Sequence, residues 1–248
     1  MGIEKPYYRI FREGPSLGQY ILDKRYADDR YLLCRAYSIL EQDLIKVFEY
    51  IEPTDDHKDV FSLRTYDLLL RACTEFESNC KRILLANEYS FPDKLKTKDY
   101  FKIEQATKLS KYEVRLNIWY PFGIKIIKPF IEWGDGPSLL WYQAYNKVKH
   151  DRSQMFSKAS FWNVVNAVAG VFAILYAQFS YYVFDSYQEL DSYSFTTSGT
   201  SCDDGFEYSP RSLFAIKPFN EWPPEDRYVF DWPLQGKDEI PFQKFDFN

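Results

Sequence analysis

Apolar residues recur every three or four positions over three long stretches of the chain, and this spacing predicts three long helices. The first covers about residues 27–52, the second about 59–87 and the third about 159–184. Because the link between the first two helices is short, we expect them to pack antiparallel. The third helix is apolar on nearly every side, which is typical of a helix in the centre of a bundle.

Shorter elements are predicted between and after the long helices. Residues 99–110 and 138–150 have helical patterns, and the second follows the turn Asp135-Gly136-Pro137-Ser138. Residues 115–131 are rich in Ile, Trp, Tyr and Phe around Pro121-Phe122-Gly123, which predicts a β-hairpin. A strand at 212–217 could extend that hairpin. The pattern therefore predicts a mainly α chain with a small β-hairpin insertion.

The 248 residues suit one core domain with appendages. We divide them into an N-terminal extension (1–26), a helical bundle (27–185) with its hairpin insertion (115–131), and an irregular C-terminal extension (186–248). The last is acidic and rich in aromatic residues, so we expect it to pack on the bundle. The sequence shows no internal repeat.

The stretch 159–184 is also long enough to cross a bilayer, which leaves a membrane span as the alternative to a core helix. Asn163, Asn166 and Gln178 within it are costly in lipid, so we expect no membrane partner. Residues 1–12 lack the apolar segment of a secretory signal. The four cysteines form no CxxC pair and are expected to be reduced thiols, which favours a cytoplasmic protein.

Charge is distributed unevenly along the chain. The net charge is −5, which argues against a protein coated in basic charge for duplex nucleic acid. Residues 91–128 nevertheless carry +5 and residues 142–158 carry +3, whereas residues 185–248 hold 13 acidic and 5 basic residues. One interpretation is a basic groove for RNA or another polyanion; ordinary solvated surface is the alternative.

The residues best suited to chemistry lie in the segment 141–152. Asn146 and His150 are four residues apart, so they share one face of a helix. A neutral imidazole can take a proton from a ribose 2′-hydroxyl. Basic side chains nearby could hold a phosphate and stabilise the charge that builds on it. These basic residues are Lys147, Lys149 and Arg152. The alternative is a solvated or helix-capping histidine.

A resemblance to a known family rests on this segment. The run Tyr145-Asn146-Lys147-Val148-Lys149-His150-Asp151-Arg152 precedes a long apolar helix, and two long helices lie upstream of it. Over roughly residues 27–185 this arrangement resembles the HEPN superfamily (higher eukaryotes and prokaryotes nucleotide-binding). The resemblance implies an antiparallel helical bundle that commonly forms homodimers. Many such proteins are metal-independent endoribonucleases of bacterial phage-defence or toxin–antitoxin systems, while others bind RNA, nucleotides or partner proteins without catalysis.

The resemblance assigns roles residue by residue. His150 matches the family's histidine, and Asn146 matches the polar residue that follows a catalytic arginine. That arginine is missing, since Gln143, Ala144 and Tyr145 occupy the positions where it would fall. We therefore expect phosphate or RNA to be bound by Lys147, Lys149 and Arg152.

Weaker candidates complete the predicted site. Glu77, or its neighbour Glu75, could orient the histidine from the second helix, although a solvent-facing carboxylate is the alternative. Lys125 and Lys128 of the hairpin could bind RNA, with Trp119 or Tyr120 stacking on bases, unless those rings belong to the core. The sequence contains no phosphate-binding glycine loop and no zinc-binding His/Cys set, and we expect no cofactor.

The sequence thus predicts an RNA-binding protein or metal-independent endoribonuclease. The alternative is a non-catalytic helical module that binds a nucleotide or a partner protein such as an antitoxin.

Overall fold

The structure is a computed structural model that describes residues 2–14, 18–91, 93–184, 200–201, 204–209 and 212–248. The prediction of a mainly α chain is confirmed, because about 52% of the chain is helical and the described strands form one small antiparallel sheet. The helices are α1 (Arg30–Phe48), α2 (Leu63–Ala86), α3 (Thr97–Phe101), α4 (Ile103–Thr107), α5 (Leu140–His150), α6 (Arg152–Met155), α7 (Phe161–Phe179) and α8 (Trp232–Gln235).

Side-chain pairs along α1 and α2 show that these two helices run antiparallel. Asp29, just before α1, pairs with Arg82 near the end of α2, and Asp43 further along α1 pairs with Arg71 in the middle of α2. The partner positions therefore run in opposite directions. The buried faces of both helices contribute to the hydrophobic core, which provides most of the driving force for their packing.

Helix α7 lies at the centre of the bundle and runs parallel to α2. At the start of both helices, residue 61 before α2 forms an isolated β-bridge with residue 160 before α7. Further along, Gln178 of α7 donates a hydrogen bond of 2.8 Å to Asn79 of α2. Its orientation to α1 is opposite, since the Tyr37 ring stacks on Phe172 and the Phe48 ring contacts Phe161.

The burial of α7 decides between a core helix and a membrane span. The helix and its 3-10 extension, Phe161–Phe184, are long and apolar enough to cross a bilayer, yet 89% of the most apolar window is buried inside the protein. Its apolar surface is covered mainly by α1, α2 and α5, and the Phe172 ring also stacks on Phe214, which favours a core helix.

In the described part of the chain, five short strands form an antiparallel sheet beside the bundle. They are β1 (Glu113–Leu116), β2 (Lys125–Ile127), β3 (Thr200–Ser201), β4 (Glu207–Tyr208) and β5 (Phe214–Lys217), in the order β2-β1-β5-β4-β3. The hairpin predicted at 115–131 is present with shorter strands. The strand predicted at 212–217 is also confirmed, because β5 pairs with β1 along its whole length, from Glu113↔Lys217 to Leu116↔Phe214.

The N-terminal segment packs into the body of the protein. Arg9 is buried and contacts Asp29, the residue before α1, as well as Gln178 of α7. Two residues later, the Phe11 amide donates a 2.8 Å hydrogen bond to the Ala177 carbonyl of α7. Residues 2–14 and 18–26 are thus held by the core helices.

The C-terminal segment packs against the same helices. The Phe245 amide donates a 2.8 Å hydrogen bond to Asn87 at the end of α2, and Phe247 is fully buried. Residues 3 and 228 form an isolated parallel β-bridge, and residues 7 and 243 form another, so the two terminal segments also contact each other.

Several element boundaries differ from the sequence prediction. The helix expected at 99–110 is two short helices, α3 and α4, followed by a 3-10 turn with Lys108 in the left-handed conformation at φ 56°. Helix α1 begins at Arg30 instead of residue 27 and ends at Phe48, four residues before the expected end. Asp29 does not cap α1 with its side chain, because its carboxylate binds Arg9 and Arg82 instead.

Cys34, Cys73 and Cys80 are buried free thiols, as expected. Burial raises the pKa of the Cys73 and Cys80 thiols well above its usual value, so both stay protonated and unreactive at neutral pH. Cys202 lies outside the described residues.

Candidate functional site

Helix α5 divides its residues between a buried face and an exposed face. Its buried side chains are Trp141, Tyr142, Ala144, Tyr145 and Val148. On the other side Lys147, Lys149 and His150 are exposed and Asn146 is half-buried. This division follows from the 3.6-residue period, which places apolar and polar residues of the segment on opposite faces.

Buried aromatic side chains fix α5 on its neighbours. The Trp141 indole N–H donates a 2.7 Å hydrogen bond to the Pro129 carbonyl, and both Trp141 and Tyr142 contact the Phe76 ring of α2, at 5.0 and 5.4 Å between centroids. Gly170 of α7 makes room for this arrangement, because a Cβ there would lie 3.0 Å from the Trp141 ring. The polar face of α5 is therefore presented by a rigidly packed helix.

Glu77 faces α5, but it does not orient the histidine as we expected. Its Oε1 accepts a 2.7 Å hydrogen bond from the hydroxyl of Tyr142, which lies two helical turns before His150. Burial and this hydrogen bond raise the pKa of Tyr142, so the phenol remains a donor. Glu77 therefore braces the helix itself. Glu75 is half-buried, and burial raises the pKa of its carboxyl.

Asn146, Lys147 and His150 form the exposed face of the candidate site. Their spacings of three and four residues place them on one side of α5. No hydrogen bond, ion pair or ring contact joins their side chains to any other residue in the described part of the chain. They are therefore available to bind a ligand. We call these three residues the α5 polar face.

The two remaining basic candidates already contact aromatic side chains. The Lys149 ammonium donates a 2.8 Å hydrogen bond to the Tyr145 hydroxyl, and this bond raises the lysine's pKa. The Arg152 guanidinium lies over the rings of Tyr66 and Phe156, 5.1 and 5.9 Å from their centroids. Both side chains are exposed, so they add to the positive potential around the α5 polar face.

Asp151 does not pair with Lys147, although their spacing would allow it. Its carboxylate accepts hydrogen bonds from the Ser153 hydroxyl at 2.7 Å and from the Gln154 amide at 3.1 Å, and it thereby caps α6. These bonds lower the pKa of Asp151. Asp151 is thus the single residue between α5 and the short helix α6, and Lys147 has no ion-pair partner among the described residues.

Most of the positions where the resemblance would place a catalytic arginine are turned inward. Ala144 and Tyr145 are buried, and only Gln143 is exposed. The Tyr145 ring packs beside Tyr142, with their centroids 5.5 Å apart. An uncharged, buried residue thus occupies the position nearest to Asn146, and it cannot contact a phosphate in solvent.

The hairpin lysines are paired with carboxylates. Lys125 lies 2.7 Å from Asp55 and over the Trp119 ring, and Lys128 lies 2.6 Å from Glu113. The buried Trp119 cannot stack on a base, whereas Tyr120 is exposed. Each hairpin lysine thus already has a carboxylate partner, whereas Lys147 has none among the described residues.

Sequence reasoning missed the two phenols that position α5. The Tyr145–Lys149 contact joins residues four apart on one helix, so the sequence spacing could have indicated it. The Tyr142–Glu77 contact joins residues 65 positions apart, and no local pattern predicts it. Among the described residues, no group of three or more His, Cys, Asp or Glu side chains could hold a metal ion.

Comparison of the chain with protein-family models, with curated proteins and with solved structures finds no match.

Proposed function

We propose that this protein binds single-stranded RNA through the α5 polar face, as a HEPN-like protein. The observation that carries the proposal is that Asn146, Lys147 and His150 have no side-chain partner among the described residues and lie on one side of a helix whose other side is buried. Residues 142–158 hold four basic residues against one acidic residue, which attracts a polyanion. The buried free thiols of the described cysteines suit a cytoplasmic protein.

Each residue of the α5 polar face has a distinct role in this proposal. Lys147 binds a phosphate as a point charge, Asn146 donates a hydrogen bond to a phosphate or sugar oxygen, and His150 contacts the ribose 2′-hydroxyl. Lys149 and Arg152 add charge around them without giving up their tyrosine contacts.

Cleavage by the same face is the stronger form of the proposal. His150 would take the proton from the 2′-hydroxyl, whose oxygen then attacks the adjacent phosphorus while the 5′-oxygen leaves with a proton from water. Charge on the phosphate would be stabilised mainly by Lys147, with Lys149 and Arg152 adding to the positive potential, because buried residues occupy two of the three positions where the missing arginine would fall. RNA binding is therefore better supported by the geometry than rapid cleavage.

Fluorescence anisotropy with a labelled single-stranded RNA tests binding. We expect Lys147→Glu to weaken the affinity about tenfold or more, since it replaces an attraction to phosphate by a repulsion. The matched control is Lys24→Glu, which makes the same charge change at an exposed lysine of the N-terminal segment. Equal weakening by both variants would show only the effect of net charge and would refute the α5 polar face as the site.

Incubation with cellular RNA in EDTA, beside a His150→Ala variant, tests cleavage. Products that appear with the wild type and not with His150→Ala would support the endoribonuclease. Binding without cleavage would leave an RNA-binding protein.

Light scattering tests the homodimer that the resemblance implies, in which two α5 helices would share one groove. A monomer at all concentrations would remove that part of the proposal.

A non-catalytic module that binds a partner protein is the second candidate. It is favoured by the exposed apolar loop of the hairpin, which RNA binding does not explain.

A further inference from the structure

The loop between β1 and β2, residues 117–124, exposes large apolar side chains in place of the usual polar residues. Tyr120, Phe122 and Ile124 are 64%, 87% and 53% exposed, and Pro121 between them is also exposed. Scattered exposed apolar residues are normal, but several on one short loop mark an interaction site. We call residues 117–124 the hairpin loop.

The hairpin loop is held firmly in place. Trp119 in its middle is buried and stacks on Phe161 at the start of α7, with ring centroids 6.3 Å apart. The Tyr120 amide donates a 2.7 Å hydrogen bond to the Pro53 carbonyl, and the Gly123 amide donates one of 2.6 Å to the Trp119 carbonyl. Because the loop is already ordered, binding a partner would cost little conformational entropy.

An acidic segment lies directly beside the hairpin loop. Residues 49–59, which connect α1 to α2, contain five acidic residues and one lysine. The hydrogen bond from Tyr120 to Pro53 and the ion pair between Lys125 and Asp55 join this segment to the hairpin. We call residues 49–59 the acidic rim.

Most of the carboxylates of the acidic rim are left unpaired. Asp55 pairs with Lys58 and Lys125. The other four, Glu49, Glu52, Asp56 and Asp59, are exposed and form no ion pair with any described residue. The exposed apolar side chains of the hairpin loop are thus joined to a segment in which four of the five carboxylates form no ion pair with a described residue.

We propose that the hairpin loop and the acidic rim together bind a basic, apolar segment of a partner protein. The apolar side chains of that segment would cover Tyr120, Phe122 and Ile124, and its lysines or arginines would face the four unpaired carboxylates. This charge complementarity opposes RNA and anionic lipid, which the rim repels. The proposal is independent of RNA binding by α5.

Peptide probes of defined composition test the proposal. We would measure binding of three labelled peptides of equal length, made of Lys and Leu, of Glu and Leu, and of Lys and Ser. The proposal predicts that the wild type binds only the Lys/Leu peptide, because both apolar contact and positive charge are needed. Equal binding of the Lys/Ser peptide would show a purely electrostatic contact, and binding of the Glu/Leu peptide would exclude the role of the rim.

Two variants and two matched controls locate the site. Phe122→Ser should weaken binding of the Lys/Leu peptide about tenfold or more, as loss of a central apolar anchor does. Leu32→Ser, at an exposed apolar residue of α1, should leave the affinity unchanged. Asp56→Asn should weaken binding and reduce its dependence on salt, and Glu221→Gln should do neither. Equal effects of variant and control would refute the site.

Two further outcomes would assign the surface to another occupant and overturn the proposal. The first is a doubled mass by light scattering that reverts in Phe122→Ser, which would indicate a second copy of this chain. The second is binding to zwitterionic lipid vesicles that is lost in the same variant, which would indicate a membrane surface. RNA affinity measured on Phe122→Ser should stay at the wild-type value, so a failure here is distinguishable from a failure of the proposed function.

Discussion

Neighbouring residues of α5 have very different surroundings, and this contrast underlies the functional proposal. Tyr142 and Tyr145 are buried and hydrogen-bonded to Glu77 and Lys149, while Lys147 and His150 form no side-chain hydrogen bond, ion pair or ring contact with any described residue. The first pair holds the helix in place, and the second pair is free to bind. Substitutions in the two pairs should therefore have separable effects on stability and on RNA affinity.

Tyr142→Phe tests the structural half of this contrast. Removing the hydroxyl leaves the half-buried Glu77 carboxylate without its donor, so we expect a loss of about 1–2 kcal/mol in the free energy of unfolding. Urea denaturation measures this change. RNA affinity should not change by more than a small factor; a large loss of affinity with unchanged stability would contradict the division of roles.

Glu41 provides a prediction about pH. Burial raises the pKa of this carboxyl above its ordinary value of 4.5, although the carboxylate accepts hydrogen bonds from Tyr37, Ser212 and Leu213. Between 4.5 and the raised pKa the folded state binds more protons than the unfolded state, so this group's contribution to stability falls as pH rises.

Glu41→Gln should remove that pH dependence. We expect the stability of the wild type, relative to the variant, to decrease as pH rises through this window. Denaturation at several pH values checks the difference. A difference that stays constant, or that changes in the opposite direction, would show that the carboxyl's pKa is not raised.

At the scale of elements, the sequence predicts the helices well because their apolar spacing is local. It predicts their ends poorly, since contacts from distant segments decide them. The start of α1 shows this: the helix is expected from residue 27 but begins at Arg30, and the Asp29 carboxylate just before it binds Arg9 and Arg82. Similarly, β5 was recognisable from residues 212–217, whereas the two-residue strands β3 and β4 are too short to leave a pattern.

The contact between α5 and α7 depends on Gly170. A side chain at this position would meet the Trp141 ring, so Gly170→Val should overpack the core and cost roughly 1–3 kcal/mol of stability. Thermal unfolding and Trp fluorescence would show the loss and the displacement of the indole. Gly136→Val, where nothing lies within 4 Å, serves as the control and should change stability little. Equal stabilities for both variants would contradict the close packing of these helices.

At the scale of the whole molecule, the two terminal segments belong to the folded body. Arg9 and Arg82 converge on Asp29, and this cluster connects the N-terminal segment to α1 and α2. Such long-range ion pairs cannot be inferred from sequence spacing. The sequence did suggest the packing of the C-terminal segment, through its many aromatic residues, but not which helices it would contact.

Asp29→Asn tests the role of this cluster. The substitution leaves the buried Arg9 guanidinium without a full counter-charge, so we expect a loss of roughly 3 kcal/mol in stability. Asp28→Asn is the matched control. Asp28 is exposed and comes no closer than 4.0 Å to the Arg9 guanidinium, so its loss should cost little stability. Denaturation of both variants measures the difference; similar stabilities would mean that the N-terminal segment is held mainly by apolar contacts.

The candidate site was only partly predictable for a related reason. The four-residue spacing of Asn146 and His150 is visible in the sequence, and so is the positive charge around them. Which of the basic residues remain free depends on the tertiary structure, which pairs Lys125 and Lys128 with carboxylates and gives Lys147 no partner in the part of the chain that is described.

Photo-crosslinking of a 4-thiouridine-labelled single-stranded RNA, with the linked peptides identified by mass spectrometry, tests the central claim most directly. We predict crosslinks within residues 142–158 that are lost in Lys147→Glu and retained in Lys24→Glu. Crosslinks confined to other segments, such as the basic residues 93–128, would contradict the assignment of RNA binding to α5.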